Sequence, residues 1–223
     1  MNFVISIVNP GMAPRMNAIM QSLELPLCIE LLGRGTATKS VLDLLGLNAK
    51  EYHIIMTIAD SDRTDRLIEE ARRNLYIDAP GQGIIAATPI KSVGGGKTLA
   101  NLNAGRPAEG APEINYNYEI VLAIANEGHT DTVMEAAREA GARGGTVLHG
   151  KGTGSNDAAK FFGVSIASEK EVIMIVARAS EKAAIMKSII NKAGTQTDAG
   201  AVVMSLPVSA VAGFGMLDSL DEK

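Results

Sequence analysis

The chain has no tryptophan, one cysteine, three histidines, four tyrosines and four phenylalanines among 223 residues, and each shortage closes off a class of function. Scarce aromatics leave no stacking platform for unpaired bases. A net charge of −4 lacks the basic excess that a phosphate backbone demands. Nucleic acid is therefore not an expected partner, whereas a small anionic ligand stays compatible. Cys28, inside LPLCIELL, has no second cysteine to pair with and reads as a buried thiol in a reducing cytoplasm, with catalytic use the lesser reading. His53, His129 and His149 have no second ligand at metal spacing, so no metal site is expected. No apolar run reaches the ~18 residues of a membrane span. The opening MNFVISIVNPGM has no basic segment before its short apolar run, so it reads as a first strand and not a signal peptide.

What is present is aliphatic. Hydrophobic residues make up 46% of the chain and ten are Met, enough for sizeable cores with Met filling irregular gaps. The length allows one large domain or two modules of about 100 residues, and an internal repeat decides between them. Gly33-Arg34-Gly35-Thr36 and Gly150-Lys151-Gly152-Thr153 lie 117 positions apart, as do Gly46 and Gly163, and Gly83 and Gly200. Two related modules is the better division.

Periodicity gives the same order of elements twice. In the second copy, 117–125 is a β-rich run and 130–141 has helical spacing, with Thr130 as N-cap and Gly141 at its end. Residues 145–150 are again strand-like. After a loop come a strand at 171–177, a helix at 180–194 capped by Ser180 and ended by Gly194, and a strand at 200–206. The first copy reads strand 3–8, a helix from about Ala13 to Leu23, strand 27–32, a loop, strand 52–59, a helix opening on Asp60-Ser61-Asp62 and running to about Leu75, and strand 83–88. The expected fold is α+β: two tandem ferredoxin-like (βαββαβ) modules, residues 1–100 and 113–215, with antiparallel sheets and helices on one face. Both faces of IVLAIA and VIMIVA are apolar, so the sheet's other face is expected to be covered and the protein to be a homo-oligomer. The Gly-, Pro- and Asn-dense stretch Lys91 to Asn115 reads as the boundary between modules, and the acidic tail Met216 to Lys223 as frayed.

Two places approach the P-loop pattern G-x-x-x-x-G-K-[ST]. GTVLHGKG, Gly145 to Gly152, fails at its last position and places strand-forming Thr146-Val147-Leu148 where a flexible loop belongs. KSVGGGKT, Lys91 to Thr98, begins with Lys where Gly is required, and Pro107, Gly110 and Pro112 follow where a long helix should stand. A small NTPase or ferredoxin-like enzyme built on GGGKT is therefore the weaker alternative. The repeated G-[RK]-G-T has two readings that the sequence leaves open. Its glycines could merely permit positive φ at a strand exit. Alternatively its N–H groups, cation and hydroxyl could contact an anion.

These residues and this element order resemble the PII nitrogen-regulatory signalling family. That family has the same βαββαβ module with a G-x-G entry to a long loop between its second and third strands. A further loop after its second helix, patterned T-G-x-x-G-D-G-K, closes on adenine nucleotide phosphates. AGTQTDAG, Ala193 to Gly200, keeps that spacing, with Gly194 on the first Gly and Asp198 on the Asp. The departures are that Gly200 replaces the lysine, Thr153-Gly154 (Thr36-Ala37 in the first copy) replace Arg-Gln after G-x-G, Gly81 replaces the Asp in the first copy, and no arginines follow the last strand.

The resemblance implies a tandem, diverged PII-like regulator with no catalytic residues. A small-molecule effector, such as ATP or ADP or another anion, would sit at clefts between modules and order the loops. Those loops would then dock on a protein target such as a transporter or metabolic enzyme. The implied ligand contacts are Gly33, Arg34, Gly35, Thr36, Gly150, Lys151, Gly152, Thr153, Gly194, Asp198 and Gly200, and Lys91 is a further available cation. TKSVLDLLG and SNDAAKFFG read as two-turn amphipathic pieces that pack on a module. His149 reads either as a ligand contact or as an ordinary strand-end histidine. The carboxylates of EEARRN and REAG read as solvated helix faces.

Overall fold

In the computed structural model the described residues are 1–36, 51–93, 100–102, 105, 112–152, 160–161, 164–165 and 169–213. The elements are β1 (Asn2–Val8), α1 (Ala13–Ser22), β2 (Cys28–Gly35), β3 (Glu51–Ala59), α2 (Ser61–Leu75), β4 (Gly83–Pro89), β5 (Asn115–Asn126), α3 (Thr130–Glu139), β6 (Thr146–Lys151), β7 (Lys160–Phe161), β8 (Val164–Ser165), β9 (Glu169–Arg178), α4 (Ala179–Ala193), β10 (Val202–Val208) and β11 (Ala210–Ala212). The class is α+β, with antiparallel pairing and helices.

Contacts divide the chain into two compact units. Unit one is Met1–Leu32, Glu51–Tyr118 and Pro207–Lys223; unit two is Gly33–Lys50 and Glu119–Leu206. The chain thus changes unit inside β2, before β3, inside β5 and inside β10.

In unit one the strand order is β2-β3-β1-β4-β11. β1 pairs antiparallel with both β3 and β4, placing Val4 opposite Thr57 on one side and Ala87 on the other. Alternation sends Val4, Val8, Ile55, Ala59, Ile85 and Ala87 to the face covered by Met16, Ile19 and Met20 of α1 and Leu67, Ala71 and Leu75 of α2. Burying each Val, Ile, Leu or Met among them contributes roughly 1.5–3 kcal/mol.

α2 begins where Asp60 accepts the Arg63 N–H at 2.8 Å, the expected acidic cap. Arg63, in the first turn of α2, is a buried charge. It is 1% exposed, its Nε donates to Asp60 Oδ2 at 2.9 Å, and its Nη2 donates to the Leu102 carbonyl at 2.8 Å. A fully hydrogen-bonded guanidinium tolerates burial that a bare one would not. Through it the boundary stretch is tied down at Leu102.

In unit two the order is β10-β5-β9-β6, with the Gly33–Gly35 end of β2 beside β6. Val121, Ala123, Ala125, Ile173, Ile175 and Ala177 face Val133, Met134 and Ala137 of α3 and Ile185 and Ile189 of α4. On the alternate positions Ile120 and Met174 are nearly covered, but Val202 and Met204 of edge strand β10 are 50% and 38% exposed.

Several expectations are corrected. Thr130 does not cap α3: His129 precedes the helix, and the Thr130 hydroxyl donates to Glu171 Oε2 at 2.8 Å. Ser180 lies inside α4, which starts one residue earlier. Within SNDAAKFFG, Lys160 and Phe161 pair with Ser165 and Val164 as a short hairpin and not as helical turns; the rest of both loop pieces lies outside the described residues, as do GGGKT and the acidic tail. Cys28 is exposed, not buried, because the N-terminal part of β2 is exposed along its length. Its thiol donates to Met20 Sδ at 3.2 Å, and partial burial and then the charge of Glu30 push it up, away from the reactive thiolate.

Candidate functional site

The loop 194–200 follows α4 and is shaped by its own turns. Gly194 ends the helix in an extended conformation where a Cβ would stand 2.2 Å from the Ile190 carbonyl oxygen, so only glycine fits. Thr197 returns both its N–H and its hydroxyl to the Gly194 carbonyl, at 2.9 and 2.8 Å. Gly200 has φ +57, and Ala201 N–H donates to Ala193 O at 2.8 Å, closing the turn into β10. The Asp198 side chain is exposed.

Asn126, the last residue of β5, holds this loop. Its N–H donates to Ala199 O and its Nδ2 to Asp198 O, both at 2.9 Å. Its Oδ1 accepts from Lys170 Nζ at 2.5 Å, so both ends of the amide are used. Lys170 stands opposite Gly150 in the β6–β9 ladder, and Lys151 stands opposite Glu169. Strand pairing and one asparagine thus bring Gly150, Lys151, Lys170, Gly194, Asp198 and Gly200 to one end of the unit-two sheet.

Lys151 pairs with Glu169 at 3.3 Å on the surface, an ion pair worth about 0–1 kcal/mol and easily exchanged for another anion. A Cβ at Gly150 would meet nothing within 4 Å, so the strand end is open there. His149 stands opposite Glu171, with Nδ1 3.9 Å from the carboxylate, which is 4% exposed and lies at the first turn of α3, where the helix dipole favours negative charge.

The first quartet is elsewhere. Arg34 and Gly35 stand opposite Val147 and Thr146, at the start of β6, whereas Gly150 and Lys151 are at its end. Thr36 is closed onto Gly145: its N–H and hydroxyl donate to Gly145 O at 2.9 Å, and the hydroxyl accepts the Gly145 N–H at 2.8 Å. Arg138 donates to the Thr36 carbonyl. Gly152 follows β6, Thr153 lies outside the described residues, and Lys91 belongs to unit one. Gly33, Gly35 and Gly150 sit inside strands, so positive φ is not what these three glycines supply.

Asn126 is the residue that pattern reading missed, although a signal existed. Asn9 lies 117 positions earlier, and its Nδ2 donates to Gly81 O at 2.8 Å, while Gly81 lies 117 positions before Asp198. The same bond is therefore made in both units. Among the described residues no group of three His, Cys, Asp or Glu is placed to hold a metal ion, and no helix is long and apolar enough to cross a membrane.

The family described as Nitrogen regulatory protein P-II matches residues 118–213, from β5 through β11. Among solved structures, the chain is similar to Arabidopsis thaliana PII bound to citrate, at 25% identity over 43% of this chain and 80% of that one, TM-score 0.34. It is also similar to a Bacillus cereus protein related to NIF3, at 16% identity over 45% of this chain, TM-score 0.36; it spans only 27% of that protein. No curated protein matches. The similarity to the nitrogen regulatory P-II family thus lies in residues 118–213, less than half of the chain.

Proposed function

We propose that the protein is a non-enzymatic, cytoplasmic signal-transduction regulator of the P-II type, built as two tandem modules over 1–100 and 113–215. Its effector is a small anion, with ATP or ADP the first choice, taken at the 194–200 loop with Gly150, Lys151 and Gly152 beside it. The observation that carries this reading is the family match over 118–213, the segment that contains both the loop and its Asn126 anchor. Backbone N–H groups of a glycine-bounded turn next to an exposed ammonium suit phosphate chemistry. The protruding loops would pass the bound state to a protein target through differential affinity for the ordered form. Exposed Val202 and Met204 on an edge strand favour a homo-oligomeric assembly.

The test is calorimetric titration with ATP, ADP and AMP, with and without Mg²⁺, followed by a turnover assay. Saturable binding without turnover that weakens at least tenfold in Lys151→Ala supports the reading. Turnover abolished by Lys97→Ala would replace it with the NTPase alternative. Unchanged affinity in Lys151→Ala and Arg34→Ala together would remove the loop mouths from the site.

A further inference from the structure

Unit one is completed by a strand from the far end of the chain. β11 pairs antiparallel with β4, setting Ala210, Val211 and Ala212 opposite Ala87, Ala86 and Ile85. Ser209 N–H donates to Ala87 O at 2.7 Å, and its hydroxyl donates to Asn2 Oδ1 at 2.8 Å. Ala212 is buried in the core of unit one. At the end of the segment the Gly213 N–H donates to Asp78 Oδ1 at 2.7 Å, while Asp78 Oδ2 is held by Arg72 Nε at 2.8 Å.

The slot is specific for this sequence. Gly213 has φ +101, and a Cβ there would stand 2.4 Å from the Gly83 carbonyl oxygen, so the last position must be glycine. Small residues precede it at 210 and 212. Without this segment β4 would be the open edge of its sheet, with unpaired N–H and C=O groups ready for another extended chain.

The connection to the segment is short. Only Ser209 separates β10 from β11, and the chain passes from unit two to unit one between Leu206 and Pro207. Such a hinge is where exchange between copies costs least, because a strap from a second chain remakes every contact with identical residues. Only the hinge conformation and the association entropy differ.

We propose that Ser209–Gly213 is an exchangeable strap: the β4 edge of unit one accepts the same segment of a second copy of this chain, clasped by Asp78. The exchange links copies in proportion to their concentration, independently of any effector.

Trans cross-linking of full-length chains tests this. In a Cys28→Ser background, a chain carrying Ala86→Cys is mixed with one carrying Val211→Cys, incubated, and oxidised with glutathione disulfide. The expected result is a disulfide heterodimer, several-fold above the dimer formed by either variant alone and rising with protein concentration. Adding Asp78→Ala to the first chain accelerates it. Heterodimer at the level of the single variants, while a chain carrying both Ala86→Cys and Val211→Cys closes its own disulfide, would overturn the exchange. A doubly substituted chain that closes no disulfide would overturn the pairing itself. The pair Ala87→Cys with Ala210→Cys repeats the measurement should a variant of the first pair fail to fold.

Discussion

The turns that follow the second helix of each unit, 76–83 in unit one and 194–200 in unit two, start from the same bond and end in opposite states. Each is held by an asparagine at or just after the end of the unit's first strand, Asn9 or Asn126, donating to a loop carbonyl. In unit one the remaining polar group is occupied. The Asp78 carboxylate is shared between Arg72 and the Gly213 N–H, and Gly213 lies against the backbone of Gly83. In unit two the Asp198 carboxylate is exposed, and the anchor leads through Lys170 to the open strand end at Gly150 and Lys151. The two turns share the asparagine anchor; Asp78 closes the first onto Gly213, whereas Asp198, which stands 117 positions after Gly81 and has no acidic counterpart in unit one, stays exposed.

The harshest way to probe this contrast is to fill the glycine that fixes each turn. A Cβ at Gly83 would meet Ile7 O at 2.3 Å, and one at Gly194 would meet Ile190 O at 2.2 Å, both backbone atoms that cannot step aside. Gly83→Ala and Gly194→Ala should each cost roughly 3 kcal/mol in a urea titration. Only Gly194→Ala should also reduce ATP affinity in the folded protein. Equal loss of affinity in both would break the distinction.

A milder change removes the anchors. Asn9→Ala and Asn126→Ala each leave one loop carbonyl without its donor, at about 1 kcal/mol in thermal unfolding. Asn126→Ala also frees Lys170, so nucleotide affinity should fall about tenfold there, equivalent to about 1.4 kcal/mol, and stay unchanged in Asn9→Ala. Calorimetry on both variants decides it.

The smallest effect concerns acid. In unit two, the hydrogen bond from Lys182 and then one from Ser205 hold the Glu119 carboxyl below the usual carboxylate range, against some desolvation. In unit one, His53 and then Asn17 do the same for Glu30. A carboxyl lowered in the folded state stabilises it above the unfolded pKa of about 4.3, and that stabilisation is lost as pH falls through the lower folded value. Melting followed from pH 6 downward should therefore lose a little stability below about pH 4.3. Glu119→Gln and Glu30→Gln should each flatten that limb, by a shift in Tm of about 1–3 °C. An unchanged limb in both would mean that neither pair contributes.

Much of the fold was legible along the chain. The short β-rich apolar runs IVLAIA and VIMIVA marked β5 and β9, and Asp60 marked the start of α2, because strand composition and helix starts are local properties. The glycines at 83, 194 and 200 were visible too, although only backbone neighbours explain why the first two cannot change. Local pattern misled where a side chain's partner lies far away. Thr130 looked like a cap but spends its hydroxyl on Glu171, 41 residues on. Cys28 looked buried but lies on a strand whose N-terminal part is exposed. The two G-[RK]-G-T quartets looked equivalent, but strand pairing sends them to opposite ends of β6.

The sequence by itself determined the α+β class, the order of strands and helices, the 117-residue repeat and the turn over 194–200, all of which rest on spacings of a few residues or on direct comparison of the chain with itself. Tertiary structure alone decided that Asn126 holds that turn, that Thr36 is closed onto Gly145, and that Ser209–Gly213 completes the sheet of unit one. The reason is physical. A hydrogen bond between residues 72, 109 or 135 positions apart depends on which backbone groups the folded sheet leaves unpaired, and no local pattern carries that information.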